Sequence, residues 1–296
     1  MTDQSGFLLI DKERGWTSHD VVAKVRGHVS GKVGHAGTLD PMATGLLIIG
    51  VGRATRLLRF VQGARKEYVA TAQFGVATDS LDADGAVLSR EPLPVDASQV
   101  EEALSRFRGE ILQVPPMVSA RKVEGRRLYE LAREGKVVER EARPVTIWEL
   151  ELLDLAPSDY PEVTFRTVCS TGTYVRTLAD DIARSLGGRA HLTDLRRTAN
   201  GTVSVDDASP VASIIEALDD PERTDVLIPP SEALGDMELV TVDDPTAFRV
   251  RNGRPLEEVP ADVPEDGFVR IVDGAGTLMA VYRRSSERLV PEVVLS

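Results

Sequence analysis

The chain has 296 residues, 42% hydrophobic and 28% charged, a balance that fits a soluble globular protein of about two domains and excludes disordered and fibrous classes. The single cysteine, Cys169, excludes a disulfide scaffold and a zinc ribbon and favours a reducing compartment. The longest apolar run, 46–51, falls far short of the ~20 residues of a membrane helix, and the polar start has no secretory pattern, so cytoplasm is the expected location. The net charge is −12, yet residues 1–200 hold 27 basic and 27 acidic side chains, whereas residues 201–296 hold 8 and 20. Basic residues cluster at Arg53, Arg56 and Arg59, at Arg121, Lys122, Arg126 and Arg127, and at Arg196 and Arg197. Such clusters suit a phosphate-bearing partner, although solvated faces with helix-spaced counterions have the same composition.

In chain order, Phe7 to Asp11 reads as a buried strand, and Thr17-Ser18 caps a helix carrying Val21, Val22, Val25 and Val29 that Gly31 ends. Residues 34–45 read as a glycine-rich polar loop leading to the strand Leu46 to Val51. Ala54 to Val61 reads as helix, Glu67 to Phe74 as strand, Thr78 to Gly85 as an acidic turn, and Ser98 to Arg108 as helix. A short helix over 128–133 ends at Gly135. Strands Val145 to Leu152 and Val163 to Cys169 follow, then a helix capped by Thr171 or Thr173 and stopped by Gly187-Gly188, and a strand Ala190 to Thr198. The Asp- and Pro-rich stretch 218–230 reads as a domain boundary, and the four strands expected beyond it, separated by turns, suggest a small β-barrel.

Asp40 stands out chemically because Pro41 follows it. A residue before proline is driven into extended conformations, so the loop displays this carboxylate with little freedom, as nucleophilic or acid-base work at a sugar carbon requires. An ordinary Asp-Pro turn is the other reading of the local pattern. Hydrolase elbows, phosphate loops, dinucleotide fingerprints and metal-ligand spacings are all missing from the sequence, so neither metal nor cofactor is expected.

The stretch Gly34-His-Ala-Gly-Thr-Leu-Asp-Pro-Met-Ala-Thr-Gly-Leu-Leu47 resembles the signature of the TruB-type pseudouridine synthases, which isomerise the uridine at position 55 in the T-loop of tRNA. Four further blocks resemble the family in family order: Lys66-Glu-Tyr68, residues 115–133, Cys169 to Arg176, and Ala190 to Arg197. The likeness covers roughly residues 5–215. It implies an α+β pseudouridine synthase fold over 1–225, with a mixed, mostly antiparallel sheet flanked by helices, followed by a PUA-like C-terminal β-barrel over 231–296.

The resemblance also implies roles. Asp40 would attack ribose C1′ or remove a proton at C2′, with Arg176 as the arginine that pairs with it and Tyr68 against the target base. His35 would fill the place left by the flipped nucleotide, while Tyr174, Leu195, Gly37 and Lys66 would complete the substrate pocket. Arg53, Arg56, Arg121, Lys122, Arg126, Arg127 and Arg196 would meet the RNA backbone, and residues 121–143 would be an insertion that clamps the T-loop. Without the resemblance, Tyr68 and Tyr174 read as packing residues, His35 as a local hydrogen-bonding residue, and Arg176 as the partner of Asp180 four residues on. Residues 231–296 hold 7 basic and 13 acidic side chains, so little RNA affinity is expected of them. The expected partner is the T-arm of tRNA, met by a monomer. Competing readings are a tRNA-binding folding chaperone and a hydrolytic glycosidase, the latter lacking a second placed carboxylate.

Overall fold

A computed structural model describes residues 5–117, 122–123, 126–127, 138–223 and 225–295. β1 (Gly6–Lys12) is buried almost throughout. α1 (Ser18–Arg26) opens with a reciprocal cap in which Asp20 N donates to Thr17 Oγ1 and Thr17 N donates to Asp20 Oδ2. It stops at Gly27, a turn earlier than its valine period suggests, because glycine is a poor helix former; Val29 lies outside it. β2 (Val33–His35) pairs antiparallel with β3 (Thr44–Val51), so the expected loop begins as a short strand. Gly34 faces Gly50 in that ladder, and a Cβ at either would press on Leu58, at 2.9 Å and 3.1 Å. The absent side chains make room for Leu58.

A tight 3₁₀ turn, Gly52–Leu57, leads into α2 (Leu58–Gly63). At three residues per turn, Arg53 and Arg56 stack on one exposed side. β4 (Lys66–Phe74) alternates cleanly between buried and half-buried positions, and β5 (Val76–Thr78) and β6 (Val87–Arg90) form a small hairpin. α3 (Ala97–Ser105) is followed by β7 (Gly109–Gln113), then by the short pair β8 (Lys122–Val123) and β9 (Arg126–Arg127). The helix expected over 128–133 lies outside the described residues.

β10 (Arg143–Ala156) and β11 (Glu162–Cys169) precede α4 (Val175–Ser185). Neither expected threonine caps α4: Tyr174 takes the cap position with no side-chain cap bond, and Thr173 Oγ1 instead donates back to Ser170 O at 2.8 Å. β12 (Ala190–Asn200), β13 (Val203–Ser204), β14 (Ser209–Pro210), α5 (Val211–Asp219) and α6 (Pro230–Ala233) come next. The chain ends with β15 (Glu238–Thr241), α7 (Asp244–Arg251), β16 (Phe268–Val272), β17 (Leu278–Ser285) and β18 (Arg288–Val294). Sequence periodicity does not predict α7, whose N-terminus is marked by Asp243 accepting from Thr246 N.

These elements form two compact units, one of Met1–Asp40, Gly45–Ala64 and Ala199–Ser296, the other of Pro41–Thr44 and Arg65–Thr198. In the first, β1 lies between β14 and β3, and β15-β16-β17-β18 make a four-stranded sheet. Phe7, Leu9, Leu46 and Ile48 share one apolar core with Val272, Leu278, Val281 and Val293, so the C-terminal sheet and β1–β3 bury each other's faces. A second cluster holds Val250 of α7 together with Ile271, Tyr282 and Leu289. In the second unit the strand order is β12-β4-β11-β10-β7, with antiparallel ladders from β4 to β7, and α3 and α4 pack on the sheet. The mixed, mostly antiparallel architecture agrees with the sequence reading. Among the described residues no helix is long and apolar enough to cross a membrane.

Candidate active site

In the first unit, the loop between β2 and β3 presents Asp40. Leu39 is buried and held on both sides of its backbone by Ser18 of α1: Leu39 N donates to Ser18 Oγ at 2.8 Å, and Ser18 Oγ lies 3.3 Å from Leu39 O. Gly37 sits at φ +98°, a left-handed conformation that favours glycine, and lets the chain turn away from β2. Asp40 is therefore half-buried between a pinned residue and a proline, with Met42 and Ala43 buried just beyond. His35 ends β2 half-buried, its ring edge-on to His19 at 5.5 Å.

The basic residues of the same unit are partly engaged by protein. Arg53 is exposed; Arg56 Nη1 donates to Val294 O and Arg59 Nη2 to Glu292 Oε1, both at 2.7 Å on β18. The C-terminal strand thus grips the side of the 3₁₀ turn that carries the positive charge.

In the second unit, the two-residue period of β4 puts Lys66 and Tyr68 on its buried face; Tyr68 is 8% exposed. Lys66 stands opposite Cys169 of β11. Burial pushes the Cys169 thiol up to about 11, against the Thr173 hydrogen bond and the Lys66 charge, so this cysteine is an inert packing residue. Leu195 of β12 is buried, while Arg196 is half-buried with Nη1 3.5 Å from Thr44 Oγ1.

Arg176, in the first turn of α4, is 3% exposed. It does not make the ion pair with Asp180 that helix spacing alone suggests, because Asp180 accepts from Arg184 Nε and Arg189 Nε, at 2.8 Å and 2.7 Å. Arg176 Nη1 instead donates to Ser80 O at 2.8 Å and to Asp82 Oδ2 at 3.0 Å. Asp82, 5% exposed, also accepts from Ser80 Oγ and from Asp84 N. Leu81 between them is at φ +64°, and its carbonyl accepts from Leu192 N of β12, which fixes this strained turn to the sheet. Sequence reading registers 78–85 only as an acidic turn; nothing in its pattern marks Asp82 as buried.

Tyr174, half-buried, is held through its backbone: its N–H donates to Gln113 Oε1 at 2.7 Å and its carbonyl accepts from Gln113 Nε2 at 3.1 Å. Gln113 and Tyr174 line an open pocket of about 560 Å³ with Pro115, Arg143 and the turn 171–172. The structure thus ties Arg176 to Asp82 and Tyr174 to Gln113, and puts Lys66 and Tyr68 on one strand face. Arg121 lies outside the described residues, and Lys122, Arg126 and Arg127 are described only as the paired backbone of β8 and β9. Among the described residues no three His, Cys, Asp or Glu side chains group as metal ligands.

The first unit thus presents a half-buried carboxylate, Asp40, on a stiff loop, and the second by itself holds a buried tyrosine, Tyr68, on a sheet face and a buried arginine, Arg176, at a helix start. The fold has a counterpart in the crystal structure of a Cbf5-Nop10-Gar1 complex, with a TM-score of 0.76 at 24% identity over 97% of this chain and 83% of that one. The model of the TruB family pseudouridylate synthase N-terminal domain matches residues 24–175. tRNA pseudouridine synthase B of Burkholderia lata is 45% identical over 97% of this chain and 89% of the relative; that of Solibacter usitatus is 42% identical over 93% and 94%. The chain belongs to the TruB family of pseudouridylate synthases.

Proposed function

We propose that this protein isomerises a uridine of tRNA to pseudouridine, and that its target is position 55 in the T-loop. The observation that carries this is the Asp40 loop, pinned at Leu39 and locked at Pro41, in a chain 45% identical to a tRNA pseudouridine synthase B along nearly its full length. The reaction breaks the N1–C1′ bond, turns the uracil in place and joins C5 to C1′; the C5 proton leaves and N1 takes one up. The nucleotide must first leave its stack, at a cost of a few kcal/mol that protein contacts offset.

Asp40 acts as the ionised group at the ribose, by attack at C1′ or removal of the C2′ proton. Arg176 supplies the cation that keeps a carboxylate charged where water is excluded, and Tyr68 packs on the base and assists loss of the C5 proton. Tyr174, Leu195, Lys66 and Gly37 form the pocket, and His35 fills the vacated place in the RNA. The T-arm backbone is met by Arg53, Arg56, Arg196 and the 121–143 insertion with Arg121, Lys122, Arg126 and Arg127. The PUA-like segment 231–296, rich in acid, adds little RNA affinity. The protein works as a monomer in the cytoplasm, without a metal or cofactor.

The test uses an unmodified tRNA transcript labelled with tritium at uracil C5. Release of one tritium per tRNA, with pseudouridine mapped to position 55, is expected. Background release, as from a tRNA-binding chaperone, or product only at other positions, overturns the assignment.

A further inference from the structure

Gln113 belongs to none of the roles assigned so far, yet its side chain is 2% exposed at the end of an edge strand. Its neighbour Leu112 is 71% exposed, so at this point β7 turns its polar residue inward and its apolar residue outward. Burying a primary amide is unfavourable unless its donors and acceptors are satisfied, so the inversion needs a structural return. That return is the two-bond pairing with Tyr174, in which the side-chain amide meets one backbone residue as a neighbouring β-strand would.

Tyr174 O also accepts from Leu178 N, the first turn of α4, so a single carbonyl joins Gln113 to the start of the helix. Fixing both the N–H and the C=O of Tyr174 fixes its φ and ψ. It thereby sets the direction in which the Tyr174 side chain leaves the backbone and the start of the helix that carries Arg176. On the other side, Gln113 runs straight into Val114-Pro115, and Arg140 Nη1 donates to Pro115 O at 3.0 Å. Register adds a second tie, since Gln113 stands opposite Arg143 where the chain re-enters the sheet.

We propose that Gln113 is a positioning residue for pseudouridine formation, a clamp that ties the end of β7 to the Tyr174 backbone and so aims Tyr174 and Arg176. This rests on the roles proposed for those two residues. The clamp acts on placement of the flipped nucleotide and not on general RNA affinity.

The test compares wild type, Gln113→Leu and Gln113→Glu in single-turnover reactions on the tRNA transcript, with RNA binding and thermal unfolding measured alongside. Both variants are expected to lose about 10- to 100-fold in rate, as small misplacements do, with RNA affinity within about threefold of wild type. Gln113→Glu keeps the acceptor and volume but loses the donor. Protonation of the introduced carboxyl restores a donor, so its rate relative to wild type should rise as the pH is lowered from about 8 to about 5.5, because burial raises a carboxyl pKa. A merely structural role would not give that pH-dependent rescue. Rates within twofold of wild type, or losses that follow RNA affinity or unfolding with no rescue at low pH, overturn the proposal. A wild type that makes no pseudouridine overturns the functional reading itself, whereas an active wild type beside unaffected variants overturns only the clamp.

Discussion

Two arginines of the second unit are both held by carboxylates, and they do so on opposite terms. Arg176 is 3% exposed and meets Asp82, itself buried, across 3.0 Å. Arg166, on the half-buried face of β11, has a side chain 27% exposed and spans Glu67 at 2.5 Å, Glu149 at 2.6 Å and Glu151 at 3.4 Å. Thr198 Oγ1 donates to the other oxygen of Glu67, so a charged ladder crosses four strands, β12 to β10. Buried pairs pay a large desolvation cost and are poor devices for stability, whereas exposed pairs are weak in a different way, through screening and side-chain entropy. The fold therefore tolerates the Asp82–Arg176 pair for what it places, and the Glu67–Arg166 ladder for covering the open side of a sheet.

Substitution separates the two cases, and the buried pair should give the larger effect. Asp82→Asn removes the charge facing a buried guanidinium and should cost about 3 kcal/mol of stability, with a more than about tenfold drop in turnover, read by denaturant unfolding and single-turnover rate. An unchanged rate in a folded variant would break the link between this pair and placement of Arg176.

Glu67→Gln should cost no more than about 1 kcal/mol and leave turnover unchanged. Burial pushes the Glu67 carboxyl up, but hydrogen bonds from Thr198 and Arg166 and the Arg166 charge outweigh it, leaving the folded value below the ordinary 4.5. Its contribution is thus complete above that value and is lost as the pH falls through the lower folded one. The unfolding midpoints of wild type and Glu67→Gln should differ at neutral pH and converge in acid, as the pH falls through the lowered folded value. A gap that widens in acid would reverse the sign assigned to this ladder.

The same contrast marks how far the sequence is legible. β4 and β11 announce themselves through strict alternation, and the buried face so defined carries Lys66, Tyr68 and Cys169. Asp40 is legible because proline and glycine leave a local signature. β2 is hidden by Gly34, whose value lies in a neighbour, Leu58, far along the chain. β7 is hidden because its edge position inverts the polarity at Leu112 and Gln113. Asp82 and Gln113 bond to partners 94 and 61 residues away, and no local pattern encodes such a distance. The early end of α1 and the missing threonine cap of α4 have the same origin, since in each case a backbone preference or a local hydroxyl bond overrides periodicity.

The proposed reaction depends on the charge of Asp40, and Asp40→Asn isolates that charge because the change keeps the shape of the side chain. On an unmodified tRNA transcript, the variant should bind RNA as the wild type does and form pseudouridine at least about 1,000-fold more slowly, with no product at position 55 when the wild type has reached completion. Product formed by Asp40→Asn at a rate near that of the wild type would remove Asp40 from the reaction.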